Sequence, residues 1–365
     1  MVNQPGSFWW QVALSTLLSM LSPTLRSQLV RRSRNILQRG LQKPAVRTLA
    51  ERTISELSRA LTESGVYGGS YFGDGRNPLD RMGLSGYERY DRDTSNANAM
   101  ALPIWHYFPT AKSLDVGCAT GFVVEAMREL GFDAWGTDLS YWAVEHAAQG
   151  AQGRLRQGDL MEGLPFGTGE FEVVTCLEVL EHMEPDMIPD VLREIRRVTS
   201  KFVVATIPSF GENQYGPSGW YDVKVRPELL DEYRAKPGYE GPVPYDDIYR
   251  DATGKPIEGH LTMASFTWWQ KQFEAAGFIR CGEAEMLMHR DLAKYAQTEY
   301  WNLYVFRTPD AAEPTASVRT PDEITHWEHN FKLDTRIPRV RDYERLNEAL
   351  LRNGKTPEAL PNHVS

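Results

Sequence analysis

Asp115, Gly117, Gly121 and Asp138 stand close together, with both glycines between the two acids. Glycine takes positive φ without strain and lets a ligand approach the backbone closely. A carboxylate roughly 20 residues past a glycine turn can accept hydrogen bonds from both hydroxyls of a ribose. His182 and His260 follow later in the chain. Imidazole titrates near neutrality, so either could take a proton from a hydroxyl.

The segment from Lys112 to Ser140 supplies elements to position these groups. Ser113 to Val116 reads as a short apolar strand, and Gly117 to Gly121 as a turn. Phe122, Val123, Ala126, Met127 and Leu130 recur at helical spacing, with Gly131 as C-cap. Ala134 to Thr137 is a second strand, with Asp138 just past its end. In an open parallel sheet, ligands collect at the carboxyl ends of strands. The glycine spacing narrows the ligand. A dinucleotide fingerprint needs G-x-G-x-x-G, whereas Gly117 and Gly121 stand four apart with no G-x-G, and no Walker lysine follows.

Asp115, Gly117, Ala119 and Gly121 resemble the D-x-G-x-G-x-G motif of class I S-adenosylmethionine-dependent methyltransferases, with alanine in place of the middle glycine. The run from Cys176 to Met183 resembles the segment closing the fourth strand in ubiquinone-biosynthesis-like and sugar or polyketide methyltransferases. The resemblance implies an α/β fold with a Rossmann-like seven-stranded sheet and helices on both faces. It implies S-adenosyl-L-methionine as cofactor, bound through Asp115, Gly117, Cys118, Gly121, Phe122, Asp138, Leu139, Asp159, Leu160 and Leu177. Asp138 would hold the ribose, Asp159 the adenine amino group, and Leu160 the purine face. Tyr71, Tyr90 and Arg92, from the segment before the first strand, would reach the methionine carboxylate; simple packing is the alternative. His182 and His260 are the candidate bases. Glu181 and His182 could instead merely cap the helix that begins at Pro185.

The remaining pattern alternates strand and helix, as a parallel sheet covered on both faces requires. Strands are expected near Arg154–Gln157, Phe171–Met183 and Phe202–Ile207, with helices over Tyr141–Gln149, Pro185–Val198 and Ser265–Ala276. Ile279–Leu287 and Glu299–Arg307 are expected to form a closing antiparallel pair. Trp268, Trp269 and Phe273 follow helical spacing and read as core. Residues 209–260 form an insertion rich in Gly, Pro, Tyr and Trp that would overhang the active end of the sheet. Trp220, Tyr221, Tyr245 and Tyr249 would give it flat faces for a sugar or polyol. Asp246 and Asp247 are adjacent acids, but no third acid stands at a fixed spacing to complete a metal site, so none is expected.

The chain thus divides into a helical N-terminal extension (1–65), a lid or cap segment (66–110), the methyltransferase domain (111–308) and a C-terminal extension (309–365), where Tyr343–Arg352 reads as a short helix. Residues 26–59 carry nine basic residues against two acids. This arm suits either an anionic membrane surface or docking on the domain or on a second copy, as in a homodimer. A formal net charge of −9 over 365 residues argues against nucleic acid as a partner. Three scattered cysteines suggest neither zinc nor disulfides, and no apolar run is long enough to span a membrane. The expected compartment is the cytoplasm. The expected reaction is O-methylation of a small molecule or of a sugar or polysaccharide hydroxyl. The rivals are an N- or C-methyltransferase, a non-catalytic scaffold of the same shape, and a nicotinamide dehydrogenase, which the glycine spacing disfavours.

Overall fold

The computed structural model describes residues 90–213, 216–218, 225–234, 236, 238–250, 259–295 and 302–333. Tyr71, Trp220, Tyr221, the basic arm and the expected Tyr343–Arg352 helix lie outside the described residues.

The central strands are apolar on both sides. In β5 (Thr199–Thr206), Phe202 and Val204 join one core cluster while Val203 and Ala205 join the other. In β10 (Leu303–Arg307), Leu303 and Val305 divide from Tyr304 and Phe306 in the same way. Strands buried on both faces belong inside a sheet covered by helices on each side. The other members are β1 (Lys112–Val116), β2 (Asp133–Asp138), β3 (Leu155–Gln157), β4 (Phe171–Leu177) and β9 (Ile279–Arg280). They lie in the order β3-β2-β1-β4-β5-β10-β9. The first five are parallel, and β10 runs antiparallel to both β5 and β9. This is the Rossmann-like seven-stranded sheet expected from the sequence.

One face carries α1 (Ala97–Tyr107), α2 (Phe122–Glu129) and α7 (Gly282–Tyr295). The other carries α4 (Ile188–Val198) and α6 (Phe266–Ala275). Ile188, Val191, Leu192, Ile195 and Val198 of α4 are all fully buried at helical spacing; each such side chain contributes about 1.5–3 kcal/mol. Ser265 caps α6 by accepting from Trp268 N, and Trp269 and Phe273 are core as expected.

Two expectations need correction, and two features go beyond them. The fourth strand stops at Leu177, because Glu178 takes φ 55° and turns the chain out of the sheet; Leu180–His182 is a short 3-10 turn. Most of Ile279–Leu287 is helix: only Ile279 and Arg280 pair with β10. In α7, Ala284, Met288, Leu292 and Tyr295 are buried on one face, a period that a strand cannot bury. The C-terminal extension contains α8 (Pro321–Asn330), started by a capping box between Thr320 and Glu323. Finally, the insertion has structure of its own. β6 (Ser209–Asn213) lies between β7 (Gly216–Ser218) and β8 (Ala264–Ser265), while Phe210, Val225, Tyr233, Val243, Ile248 and Met263 form a small separate core.

Candidate active site

Parallel registry brings the carboxyl ends of β3, β2, β1 and β4 to one edge, at Gln157, Asp138, Val116 and Leu177. The amides of Gly117 and Cys118 both donate to Thr137 O (2.8 and 3.1 Å), folding the glycine loop back over β2. Gly117, Ala119 and Gly121 all have positive φ (72°, 48° and 83°). Ala119 therefore keeps the left-handed turn that a glycine would take freely, at a cost of about 1–2 kcal/mol. Two contacts hold it there. Its amide donates to Asp138 Oδ2 (2.8 Å), and its methyl packs with Ala143, Tyr90 and Trp142. Gly117 has no room for a side chain: a Cβ would lie 2.4 Å from Val179 Cγ2. Cys118 fills the space above Gly136, and burial pushes its thiol pKa well up, so it is a packing group.

Asp138 is half-buried, with Oδ1 accepting from Ser140 N (2.7 Å) and Oδ2 from Ala119 N. Each oxygen keeps a further lone pair for a ligand hydroxyl. Burial raises its pKa from the ordinary value, and the two amides act against that rise. Asp115 lies deeper, accepting from Thr175 Oγ1 (2.6 Å). Burial pushes its pKa up to about 7; the Thr175 bond opposes this and the Asp138 charge adds to it.

That shift fixes a pH dependence. Between its ordinary 3.8 and about 7, Asp115 holds a proton in the folded chain that the unfolded chain has released. Stability without cofactor therefore falls as pH rises across this window, and the loss is complete above it. Asp115→Asn removes the titration and leaves Oδ1 to accept from Thr175. Its Tm should exceed that of the parent by at least about 3 °C near pH 8, and the gap should close towards about pH 4. Scanning calorimetry at both values checks this; an offset independent of pH contradicts it.

Next along the edge, Gly158 N donates to Asp138 O and Gln157 Nε2 to Leu139 O. This brings Asp159 and Leu160 beside Leu139. Asp159 is half-buried, with Oδ1 accepting from Met161 N (2.8 Å). Leu139 is exposed (39%) at this edge, where its apolar face is open to a ligand. Phe122 opens α2, its ring 5.8 Å from that of Tyr90. Arg92 is placed elsewhere than expected. Its guanidinium is spent on Glu129 through two bonds (2.6 and 2.7 Å), on Glu125 and on Asn98, and it lies over the Phe331 ring. It ties α2 to the C-terminal extension, and its donors are committed there rather than to a cofactor carboxylate.

Beyond β4 the two histidines meet. Leu261 N and Thr262 N both donate to Glu181 O, and Thr262 Oγ1 donates to Met183 O, clamping the end of the insertion to the turn after β4. The rings of His182 and His260 stand edge to face, 5.0 Å apart. The fully buried Glu181 carboxylate sits between them, with Oε1 3.9 Å from His182 Nε2 and 4.0 Å from His260 Nε2. A carbonyl only accepts, so the contact of His182 Nδ1 with Gly259 O (3.3 Å) puts a proton on Nδ1 and leaves Nε2 basic. One donor atom from each of the three residues lies within 4.8 Å of the others, a set that could also take a divalent cation. Asp246 and Asp247 form no such set. Asp246 is almost fully exposed, while Asp247 accepts from Tyr233 OH and pairs with Arg226. Sequence reasoning gave Glu181 only a capping role and passed over Thr175; no spacing signal marks a threonine in mid-strand as the partner of Asp115.

Three comparisons bear on this arrangement. A family profile described as "Methyltransferase domain" matches residues 114–202. A ubiquinone biosynthesis O-methyltransferase of Methylococcus capsulatus is 41% identical over 83 residues, covering 20% of this chain and 33% of that one. The mitochondrial ubiquinone biosynthesis O-methyltransferase of Schizosaccharomyces pombe is 35% identical over 109 residues, covering 27% and 39%. The chain thus spans between about a third and two-fifths of the length of these relatives. Among solved structures, an S-adenosylmethionine-dependent methyltransferase of Mesorhizobium loti aligns at 16% identity and TM-score 0.36, covering 59% of this chain and 99% of that one.

Over residues 114–202 the family match, the sheet order and the D-x-G-x-A-x-G loop agree on a methyltransferase domain of the class I, S-adenosylmethionine-dependent kind. Its cofactor is S-adenosylmethionine, and the residues present fit that group. Asp138 has lone pairs for the ribose, Leu139 an uncovered apolar face for the purine, and Asp115 a buried carboxylate to answer an ammonium. Among the described residues, no helix is long and apolar enough to cross a membrane.

Proposed function

We propose that this chain transfers the methyl group of S-adenosylmethionine to a hydroxyl of a small molecule or of a sugar or polysaccharide. The cofactor supplies a methyl already activated by a positive sulfur. The chain's own task is to align the acceptor with that methyl and to take the acceptor's proton. The observation that supports a hydroxyl acceptor is the buried Glu181 carboxylate between two imidazoles at the end of β4. His182 Nε2 takes the proton, and the carboxylate stabilises the imidazolium that results. Nitrogen or carbon acceptors need such a base less. The relatives named above, ubiquinone biosynthesis O-methyltransferases, point the same way for the oxygen.

The spacing favours a second reading of the same cluster. Gaps of 3.9 and 4.0 Å are long for direct hydrogen bonds. They suit donors set around a divalent cation with bonds of about 2.0–2.2 Å. Such a cation would acidify the acceptor hydroxyl in place of the imidazole.

Transfer of labelled methyl from S-adenosylmethionine tests both readings, with 3,4-dihydroxybenzoate, methyl α-glucopyranoside and a primary amine as acceptors. Label on an oxygen supports the proposal, and label on the amine alone refutes it. Cofactor binding with no transfer leaves the non-catalytic scaffold. Loss of transfer in EDTA, restored by Mg²⁺ or Zn²⁺, selects the cation over the free base.

A further inference from the structure

The described part of the C-terminal extension straps across α1 and α7, outside the residues 114–202 that the family profile matches. Ser317 Oγ and Val318 N donate to His106 O (3.2 and 2.8 Å), and Arg319 donates to Trp105 O and Phe108 O (3.0 and 3.3 Å). These donors answer carbonyls that the end of α1 leaves without helical partners. α8 then runs back along α1. Trp327 meets Trp105 edge to face at 6.5 Å, and Glu328 accepts from Lys294 and Tyr295 of α7 (2.8 Å each). The helix ends at Phe331, which is 6% exposed.

Phe331 meets the segment that leads into α1. Arg92 lies over the Phe331 ring, 5.2 Å from its centroid, and the Phe331 carbonyl accepts from Asn98 Nδ2 (3.3 Å). Asn98 Oδ1 accepts in turn from Arg92 Nε (2.7 Å). Ring and amide together set the plane of the guanidinium, whose fork is rigid. That fork points at α2 and grips Glu129 with both terminal nitrogens and Glu125 with one. Glu125 stands in the first turn of α2, where its amide donates to Gly121 O and its Oε1 accepts from Gly150 N (2.7 Å). Arg92 therefore joins the strap to the helix that leaves the glycine loop.

Two residues before Arg92, Tyr90 packs with Trp142 against Ala119, and its ring is 5.8 Å from that of Phe122. Ala119 holds φ 48°, which alanine disfavours, so the loop depends on what closes over that methyl. The placement of Tyr90 follows from Arg92, and that of Arg92 from Phe331.

We propose that the C-terminal extension completes the cofactor site from a distance. Phe331 and Arg92 are positioning residues: they hold Tyr90 against the Ala119 turn and so pre-organise the loop for S-adenosylmethionine. The role holds whichever atom the enzyme methylates.

Titration calorimetry of the full chain with S-adenosylhomocysteine tests this, each variant kept well below its own Tm. Phe331→Ala and Arg92→Ala should each weaken binding by at least about fivefold, the lower end of coupling between separated sites. Arg92→Ala carries the comparison alone should Phe331→Ala not fold. Phe331→Tyr keeps the ring face and should stay within about twofold of the parent. Tyr90→Ala should weaken binding by a factor similar to Phe331→Ala. Adding Phe331→Ala to Tyr90→Ala should then weaken it by less than about a further twofold, because both changes remove one interaction. A strap that only stabilises the fold would lower Tm in Phe331→Ala and Arg92→Ala and leave the affinity of the folded protein within about twofold of the parent; that result overturns the proposal. Full additivity of Tyr90→Ala and Phe331→Ala also overturns it, since the strap would then act by a route other than Tyr90.

Discussion

Asp138→Ala is expected to weaken S-adenosylhomocysteine binding by at least about 100-fold. Two ribose hydroxyls bonding to one carboxylate are worth about 1.5–3 kcal/mol each. Together they contribute about 3–6 kcal/mol, or two to four powers of ten in affinity. The carboxylate also does structural work, since Oδ2 holds the amide of Ala119 in the left-handed turn and Oδ1 holds that of Ser140. Alanine removes both anchors, so the loop loses its pre-organised shape along with its ligand. Asp138→Asn separates the two contributions. Its carbonyl oxygen can keep one anchor, but its NH₂ cannot accept from Ala119 N, so affinity should fall less and Tm should drop slightly. Titration calorimetry gives the affinities, and thermal unfolding checks that the variants fold. Binding by Asp138→Ala within about threefold of the parent would remove this carboxylate from the ribose.

The glycine loop, Asp138 and the strands beneath them were legible because each leaves a local mark. Short continuous apolar runs mark β1 and β5, glycine marks the turns, and an acid follows the second strand. Even the substitution at Ala119 did not disturb the shape, because Asp138 reaches back and pins the amide. The failures share a cause. Arg92 looked free for a ligand because Glu125 and Glu129, which claim it, stand more than thirty residues away. Glu178 looked like mid-strand glutamate because a single left-handed residue leaves no periodicity to read. Ile279–Leu287 passed for a strand because apolar residues dominate its short window. Only the burial of Leu292 and Tyr295 further on reveals the helical period of α7.

His182→Ala should lower kcat for a hydroxyl acceptor by about 10²–10⁴ and leave S-adenosylhomocysteine affinity within about twofold. The reasoning starts from the tautomer. Gly259 O fixes the proton of His182 on Nδ1, so Nε2 is the nitrogen that receives another, and it faces the buried Glu181 carboxylate at 3.9 Å. Removing the imidazole leaves alignment intact but no group to receive the proton. His260 shares that carboxylate at 4.0 Å, so the two histidines act on one charge. Their effects should therefore not add: His182→Ala/His260→Ala should cost little more than the worse single variant. Full additivity would assign His260 an independent task, such as gripping the acceptor, and would show as a KM effect in His260→Ala alone. Undiminished kcat in both single variants would remove the proton-transfer role from the cluster and return the choice of acceptor atom to nitrogen or carbon.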